Sequence, residues 1–250
     1  WRMPLRYSSE LAEHHAVHAL DLPGHGASDK EVGDGSLDSL ADTVVGFLDA
    51  LGISRAHLVG HSLGGAVVAA VARSTPGRVA SLTLLAPVGY TADADAEYLR
   101  GFAAAATRRE LKPLVGRLFA DPALVTRQLV DDLLRYKRLD GVDKALSALL
   151  GTLLDGDRQA IDTRGLLEGV DVPVTVVWGT ADQILPHAAV NDCPDTHEVL
   201  RGLRRLADGY APAPLLLGEV YLLSTRTVAG YVGAGDELHL AFDFTSLYAP

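Results

Sequence analysis

Ala56-His-Leu-Val-Gly60-His-Ser-Leu-Gly64-Gly65-Ala66 is the stretch on which the fold turns. Ala56–Gly60 alternates like a strand, and Ala66–Arg73 is a run of small apolar residues that reads as a helix. Between them Gly60-His-Ser-Leu-Gly64 fits the G-x-S-x-G pattern of a sharp strand-to-helix turn that exposes a strained serine. Such a turn needs small neighbours, because strand and helix come nearly into contact, and Gly65 and Ala66 extend that requirement. The helix start then brings the Leu63 N–H and the helix dipole close to the Ser62 hydroxyl, where negative charge would develop during acyl chemistry.

Working outward, the chain alternates strand and helix. His18–Asp21 ends a short apolar run, which Leu22-Pro-Gly-His-Gly26 stops as a turn. Leu37–Leu51 has helical spacing, with Gly52 where a C-cap belongs. Val79–Leu85 and Val174–Trp178 read as further strands. This order predicts an α/β fold with a mainly parallel sheet covered by helices. From Ala94 to about Gly169 the pattern is helical throughout. Asp121-Pro122 predicts a helix start, and Leu146, Leu149, Leu150, Leu153 and Leu154 form an apolar stripe. A helical block between strands reads as a cap over a site.

A nucleophilic serine needs a base, and the base needs an orienting acid. Asp182 follows a strand beyond the helical block, in the chain order Ser…Asp…His. Asp93 and Asp95, after the Val79–Leu85 strand, are weaker alternatives for the acid. The base has two candidates, His187, close behind Asp182, and His239, within the apparent strand Glu237–Phe242. His25 and His61 belong to the turn and elbow motifs, where packing is the expected role, and His14, His15, His18, His57 and His197 read as surface or strand-edge residues.

These motifs carry a resemblance. Asp21-Leu-Pro-Gly-His-Gly-Ala-Ser28, Leu58-Val-Gly-His-Ser-Leu-Gly-Gly65 and Trp178-Gly-Thr-Ala-Asp182 are similar to those of the α/β-hydrolase superfamily. Arg109-Glu-Leu-Lys-Pro113 and Tyr136-Lys-Arg-Leu-Asp-Gly-Val-Asp143 resemble the cap of one branch. That branch is the C-terminal hydrolase-like domain of the dihydrolipoyllysine acetyltransferase subunits of acetoin dehydrogenase, relatives of ester and C–C bond hydrolases. The likeness runs from Trp1 to about Val190, with the cap at about 94–169. It implies a serine hydrolase or acyltransferase acting on a small ester, thioester or C–C bonded ketone, with Ser62 as nucleophile, Leu63 as oxyanion donor and Asp182 as acid. In that family a strand ending in His-Gly supplies a second oxyanion donor. It would lie before Trp1, and one such donor is worth roughly 10²–10³ in rate. The family's histidine would follow the next strand after Asp182, yet Ala207–Gly218 holds none. Without a base, triad chemistry falls by roughly 10⁴–10⁶.

Residues 191–250 follow a different pattern. Asp192-Cys-Pro-Asp-Thr-His-Glu198, Leu216-Leu-Gly-Glu-Val-Tyr221 and Asp236-Glu-Leu-His-Leu-Ala-Phe-Asp-Phe244 resemble family 13 glycoside hydrolases of α-glucosidase type. Those are (β/α)₈ barrels with catalytic groups at the C-terminal ends of strands. The resemblance puts Glu219 at the general acid/base position, although the paired carboxylate such chemistry needs is missing. The expected tail is a strand at Pro214–Tyr221, a short helix at Arg226–Val232 and a second strand at Glu237–Phe242. Two unrelated resemblances meeting near Val190 are the pattern of a chimeric reading frame, since natural fusions join whole domains. Three functional readings follow: a serine hydrolase or acyltransferase, a non-catalytic protein with relic motifs, and an α-glucosidase fragment.

Composition narrows the partners. With a net charge of −10 over 250 residues, the chain is a poor match for nucleic acid or an anionic membrane. Its apolar runs are too short to span a bilayer, and Trp1 opens no secretory signal. One cysteine forms no internal disulfide, and no Cys/His cluster has zinc-ligand spacing. The expectation is a cytoplasmic protein with a small-molecule substrate and neither metal nor cofactor.

Overall fold

Helix α1, Leu37–Ala50, starts at Ser36, whose hydroxyl accepts the Ser39 N–H at 3.2 Å, and runs out at Leu51 before Gly52 at φ 68°. Left-handed backbone costs glycine nothing, so the helix stops there. Leu40, Ala41, Val44 and Leu48 share its buried face. The computed structural model describes residues 11–119, 121–179 and 182–186, and in the tail residues 201, 204–205, 217–220, 234 and 240–243. The chain divides into two compact units at Pro186/His187.

In the first unit, β1 (Ala56–His61), β2 (Val79–Leu85) and β5 (Val174–Val177) form a parallel sheet in the order β1-β2-β5. Helix α2 (Leu63–Ser74) connects β1 to β2, as a parallel pair requires. Side chains alternate across each strand. Leu58, Leu82 and Leu84 turn into a core shared with Val67, Val71 and the apolar face of α1. Full burial of each such leucine contributes about 2 kcal/mol. On the other face Val59 stays 61% and Val177 51% exposed. His61 is exposed with them, which corrects its expected packing role. The strand alternation that buries Leu58 and Gly60 turns His61 outward.

The α/β architecture with a mainly parallel sheet and helical cap is therefore present. His18–Asp21, expected as a strand, is not one. A strand needs a ladder partner, and among the described residues β1 pairs with β2 alone. The segment is held locally instead. Ala27 N–H donates to the Asp21 carboxylate at 2.9 Å and Ser28 Oγ to the Asp21 carbonyl, while Leu20 and Leu22 pack on the core.

The cap contains α3 (Ala96–Ala104), α4 (Arg108–Gly116), α5 (Arg127–Lys137) and α6 (Val142–Leu153). Thr107 and Glu110 form a reciprocal capping box at the start of α4. Leu111, Val115, Val130 and Leu134 build a small separate core between α4 and α5. Three expectations need correction here. The block is not helical throughout, because β3 (Leu154–Asp155) and β4 (Arg158–Gln159) pair as a short antiparallel hairpin. The Gln159 side chain fastens that hairpin by donating to the Thr91 and Asp93 carbonyls at 2.8 and 2.7 Å. Asp121-Pro122 opens a single 3₁₀ turn, Pro122–Leu124, and the α-helix begins after Thr126, whose hydroxyl accepts the Leu129 N–H. The buried line of α6 is Val142, Ala145 and Leu149, with Leu146, Leu150 and Leu153 half-buried beside it and Leu154 already in β3. A short helix α7, Thr163–Leu166, leads back towards β5.

In the second unit, β6 (Leu217–Val220) and β7 (Leu240–Asp243) pair in parallel, with Glu219 opposite Phe242. The expected helix over Arg226–Val232 falls outside the described residues. No helix among the described residues is long and apolar enough to cross a membrane.

Candidate active site

Ser62 sits between β1 and α2 with φ 53° and ψ −118°. Only Ala86 shares a positive φ among the described non-glycine residues. Backbone of this kind is strained and persists only where its surroundings hold it. Here the Ser62 N–H donates to the Leu85 carbonyl at 2.9 Å. The Ser62 carbonyl accepts from Gly65 and Val88 at 2.9 and 3.1 Å. A serine that caps a helix normally has extended backbone. At the angles found here the Ser62 hydroxyl makes no capping bond to α2.

Two glycines make this turn possible. A Cβ on Gly60 would strike the backbone of Gly64 and come within 2.6 Å of Gly65 N, and one on Gly65 would meet Pro87 Cβ at 2.7 Å. Among the described residues beyond its own helix, a Cβ on Gly64 would meet nothing within 4 Å. Leu63 opens the helix, and its N–H has no backbone acceptor among the described residues. This is the donor expected for an oxyanion.

Asp182 follows β5. Because β1 and β5 run parallel with β2 between them, Ser62 and Asp182 both leave the C-terminal edge of the sheet. Two ladder spacings, about 10 Å, separate the two strands. The Asp182 Oδ1 accepts the N–H groups of Ile184 and Leu185, each at 2.9 Å. Asp182 is thus the acid candidate that the fold brings to the serine's edge of the sheet. Asp95 is committed elsewhere. It caps α3 by accepting the Tyr98 N–H at 2.7 Å and pairs with Arg117 at 2.5 Å, and these contacts hold its carboxyl below the usual range. Asp93 lies on a backbone bridge to Arg158.

Residues that the sequence pattern does not single out surround the Asp182 turn. Arg117, at the end of α4, lies 4.9 Å over the Tyr98 ring and donates to the Gln183 carbonyl at 3.1 Å. Burial pushes the Tyr98 hydroxyl up to about 12; Arg117 opposes that rise, and the Asp95 and Asp182 carboxylates add to it. Trp178 Nε1 donates to the Leu185 carbonyl at 2.9 Å. Nothing in the local pattern of Arg117 or Tyr98 marks them, because their partners lie far along the chain.

His187 and His239 lie outside the described residues. Glu219 lies within β6, described by its backbone pairing alone. Among the described residues no group of three or more His, Cys, Asp or Glu could hold a metal ion.

The comparisons with known proteins agree with this fold. The model of the α/β-hydrolase fold family matches residues 4–205. The chain is 51% identical over 190 residues to the dihydrolipoyllysine-residue acetyltransferase component of the acetoin cleaving system of Pseudomonas putida, covering 76% of this chain and 50% of that protein. It is 32% identical over 180 residues to a 2-hydroxy-6-oxononadienedioate/2-hydroxy-6-oxononatrienedioate hydrolase of Burkholderia vietnamiensis, covering 68% and 61% of the two chains. The chain thus spans between half and two thirds of these relatives. The solved 2-hydroxy-6-oxo-6-phenylhexa-2,4-dienoate hydrolase of Rhodococcus sp. strain RHA1 superposes with a TM-score of 0.64 at 23% identity, over 73% of this chain and 69% of that one, a likeness of fold. The chain belongs to the α/β-hydrolase fold family.

Proposed function

We propose that this chain is a serine-nucleophile hydrolase or acyltransferase-like protein. Its substrate is a small ester, thioester or C–C bonded ketone taken up beneath the helical cap. Ser62 attacks, Leu63 N–H receives the oxyanion, and Asp182 orients the base, for which His187 and His239 are the candidates. The observation that carries the reading is the strained Ser62 backbone, held from β2 and released from helix capping. The relatives named for acetoin cleavage and for dienoate hydrolysis support the substrate classes. The reaction needs no metal or cofactor on this reading, and the protein works in the cytoplasm without nucleic acid or membrane partners.

Fluorophosphonate labelling of the purified protein, beside Ser62→Ala, tests the assignment. Selective labelling at Ser62 supports it, and His187→Ala and His239→Ala then identify the base. No labelling, under conditions where an intact relative labels, favours the non-catalytic reading in which the motifs are relics.

A second reading concerns residues 191–250. The parallel β6–β7 pair, with Glu219 on one strand, suits a β/α segment of barrel type. We infer an α-glucosidase-like origin for this segment, joined as a chimera near Val190. Hydrolysis of p-nitrophenyl α-glucoside that disappears in Glu219→Gln would assign it an activity, and sequencing the source gene through the seam tests the junction.

A further inference from the structure

We infer that Arg117 is a positioning residue that aims the Asp182 carboxylate from the cap, an inference that rests on the acid role given to Asp182 above. Two peptide planes transmit the effect. In a trans peptide the C=O and the following N–H point in opposite directions, so gripping one aims the other. Asp182 Oδ1 is held by the N–H groups of Ile184 and Leu185. The carbonyl sharing a plane with the Ile184 N–H is that of Gln183, and it accepts from the Arg117 guanidinium at 3.1 Å. The carbonyl sharing a plane with the Leu185 N–H is that of Ile184, and it accepts from the Asp95 backbone N–H at 2.9 Å. Both amides that orient the acid are therefore held from behind by the cap.

Arg117 suits this role because its fork serves several partners at once. One side chain pairs with Asp95, reaches Gln183 and lies over the Tyr98 ring. Lysine presents a point charge without that planar fork. Other described cap ion pairs stay inside the cap, as Arg108 does with Asp131 between α4 and α5. The Arg117–Asp95 pair also joins two cap elements, but both of its residues bond the Asp182 turn as well, Arg117 through the Gln183 carbonyl and the Asp95 N–H through the Ile184 carbonyl. A cap displaced by substrate would carry both peptide planes with it.

The test compares Arg117→Ala, Arg117→Lys, Asp182→Asn and the control Arg108→Ala in the whole chain. Amide hydrogen exchange at Ile184 and Leu185 and the fluorophosphonate labelling rate at Ser62 are measured for each. Loss of one charged hydrogen bond predicts exchange about tenfold faster in Arg117→Ala, an intermediate rise in Arg117→Lys and none in Arg108→Ala. Labelling should slow in the same order. Unchanged exchange in Arg117→Ala overturns the inference, whether or not the protein labels. If Asp182→Asn leaves labelling intact, the acid role falls instead, and faster exchange in Arg117→Ala then marks a clamp without catalytic consequence. If Asp182→Asn abolishes labelling while Arg117→Ala changes neither readout, the acid role stands and the positioning role is refuted.

Discussion

The two glycines flanking Ser62 should respond oppositely to a single methyl group. In Gly60→Ala the new Cβ would lie 2.6 Å from Gly65 N and closer still to the Gly64 carbonyl. Ordinary contact needs roughly 3.4 Å or more, so β1 and the start of α2 must part by about 1 Å. Forcing an added carbon into packed backbone costs about 1–3 kcal/mol. For a chain of this size that lowers Tm by roughly 2–12 °C. It also removes the constraint that keeps Ser62 strained. Gly64→Ala meets no atom within 4 Å among the described residues beyond its own helix, and Gly64 sits in the first turn of α2 outside the positive-φ set. Alanine replaces glycine in a helix with a gain of about 0.5–1 kcal/mol, worth a Tm rise of roughly 1–4 °C. Thermal unfolding followed by circular dichroism, with fluorophosphonate labelling of the same samples, reads both effects. Gly60→Ala should lose Ser62 labelling as well as stability, whereas Gly64→Ala should keep both. Equal destabilisation by the two substitutions, or tolerance of Gly60→Ala, would refute the steric account of the elbow.

Further substitutions test separate features. Ser62→Gly relieves the positive φ and should stabilise the fold by about 1 kcal/mol or more while abolishing labelling, measured by urea unfolding. Thr107→Ala breaks the capping box of α4 and should cost about 1 kcal/mol by the same assay. Tyr98 ionises at about 12 in the fold against 10.0 when exposed, so the folded state keeps its proton longer. Its neutral form therefore supports the fold fully below pH 10, and that support is lost as pH rises towards 12. Tyr98→Phe should flatten the fall in stability across this interval, read from Tm at stepped pH; an unchanged slope would show that other groups control it.

Local pattern carried much of this protein. The elbow, the strands at β1, β2 and β5 and the helix before Gly52 are written in residues adjacent along the chain, where side-chain periodicity and glycine backbone freedom act directly. The position of Asp182 after β5 was legible for the same reason. The β3–β4 hairpin was not, because two-residue strands carry no periodicity and this pair depends on Gln159 reaching back to Thr91 and Asp93. The Asp121-Pro122 signal was genuine but short, since the stronger threonine cap at Thr126 starts the α-helix.

By itself, then, the sequence determined the α/β order, the place of the elbow serine and the strand that Asp182 follows. These follow from interactions within a few residues. Tertiary structure alone decided which motif glycines meet other atoms, that His18–Asp21 pairs with no strand among the described residues, and that the Asp182 turn is held by Arg117 and Asp95 from the cap. The hold on the Asp182 turn depends on groups from distant parts of the chain, brought together only once sheet and cap have packed, whereas the Gly60 contact is with Gly64 and Gly65 and needs only the turn itself to close.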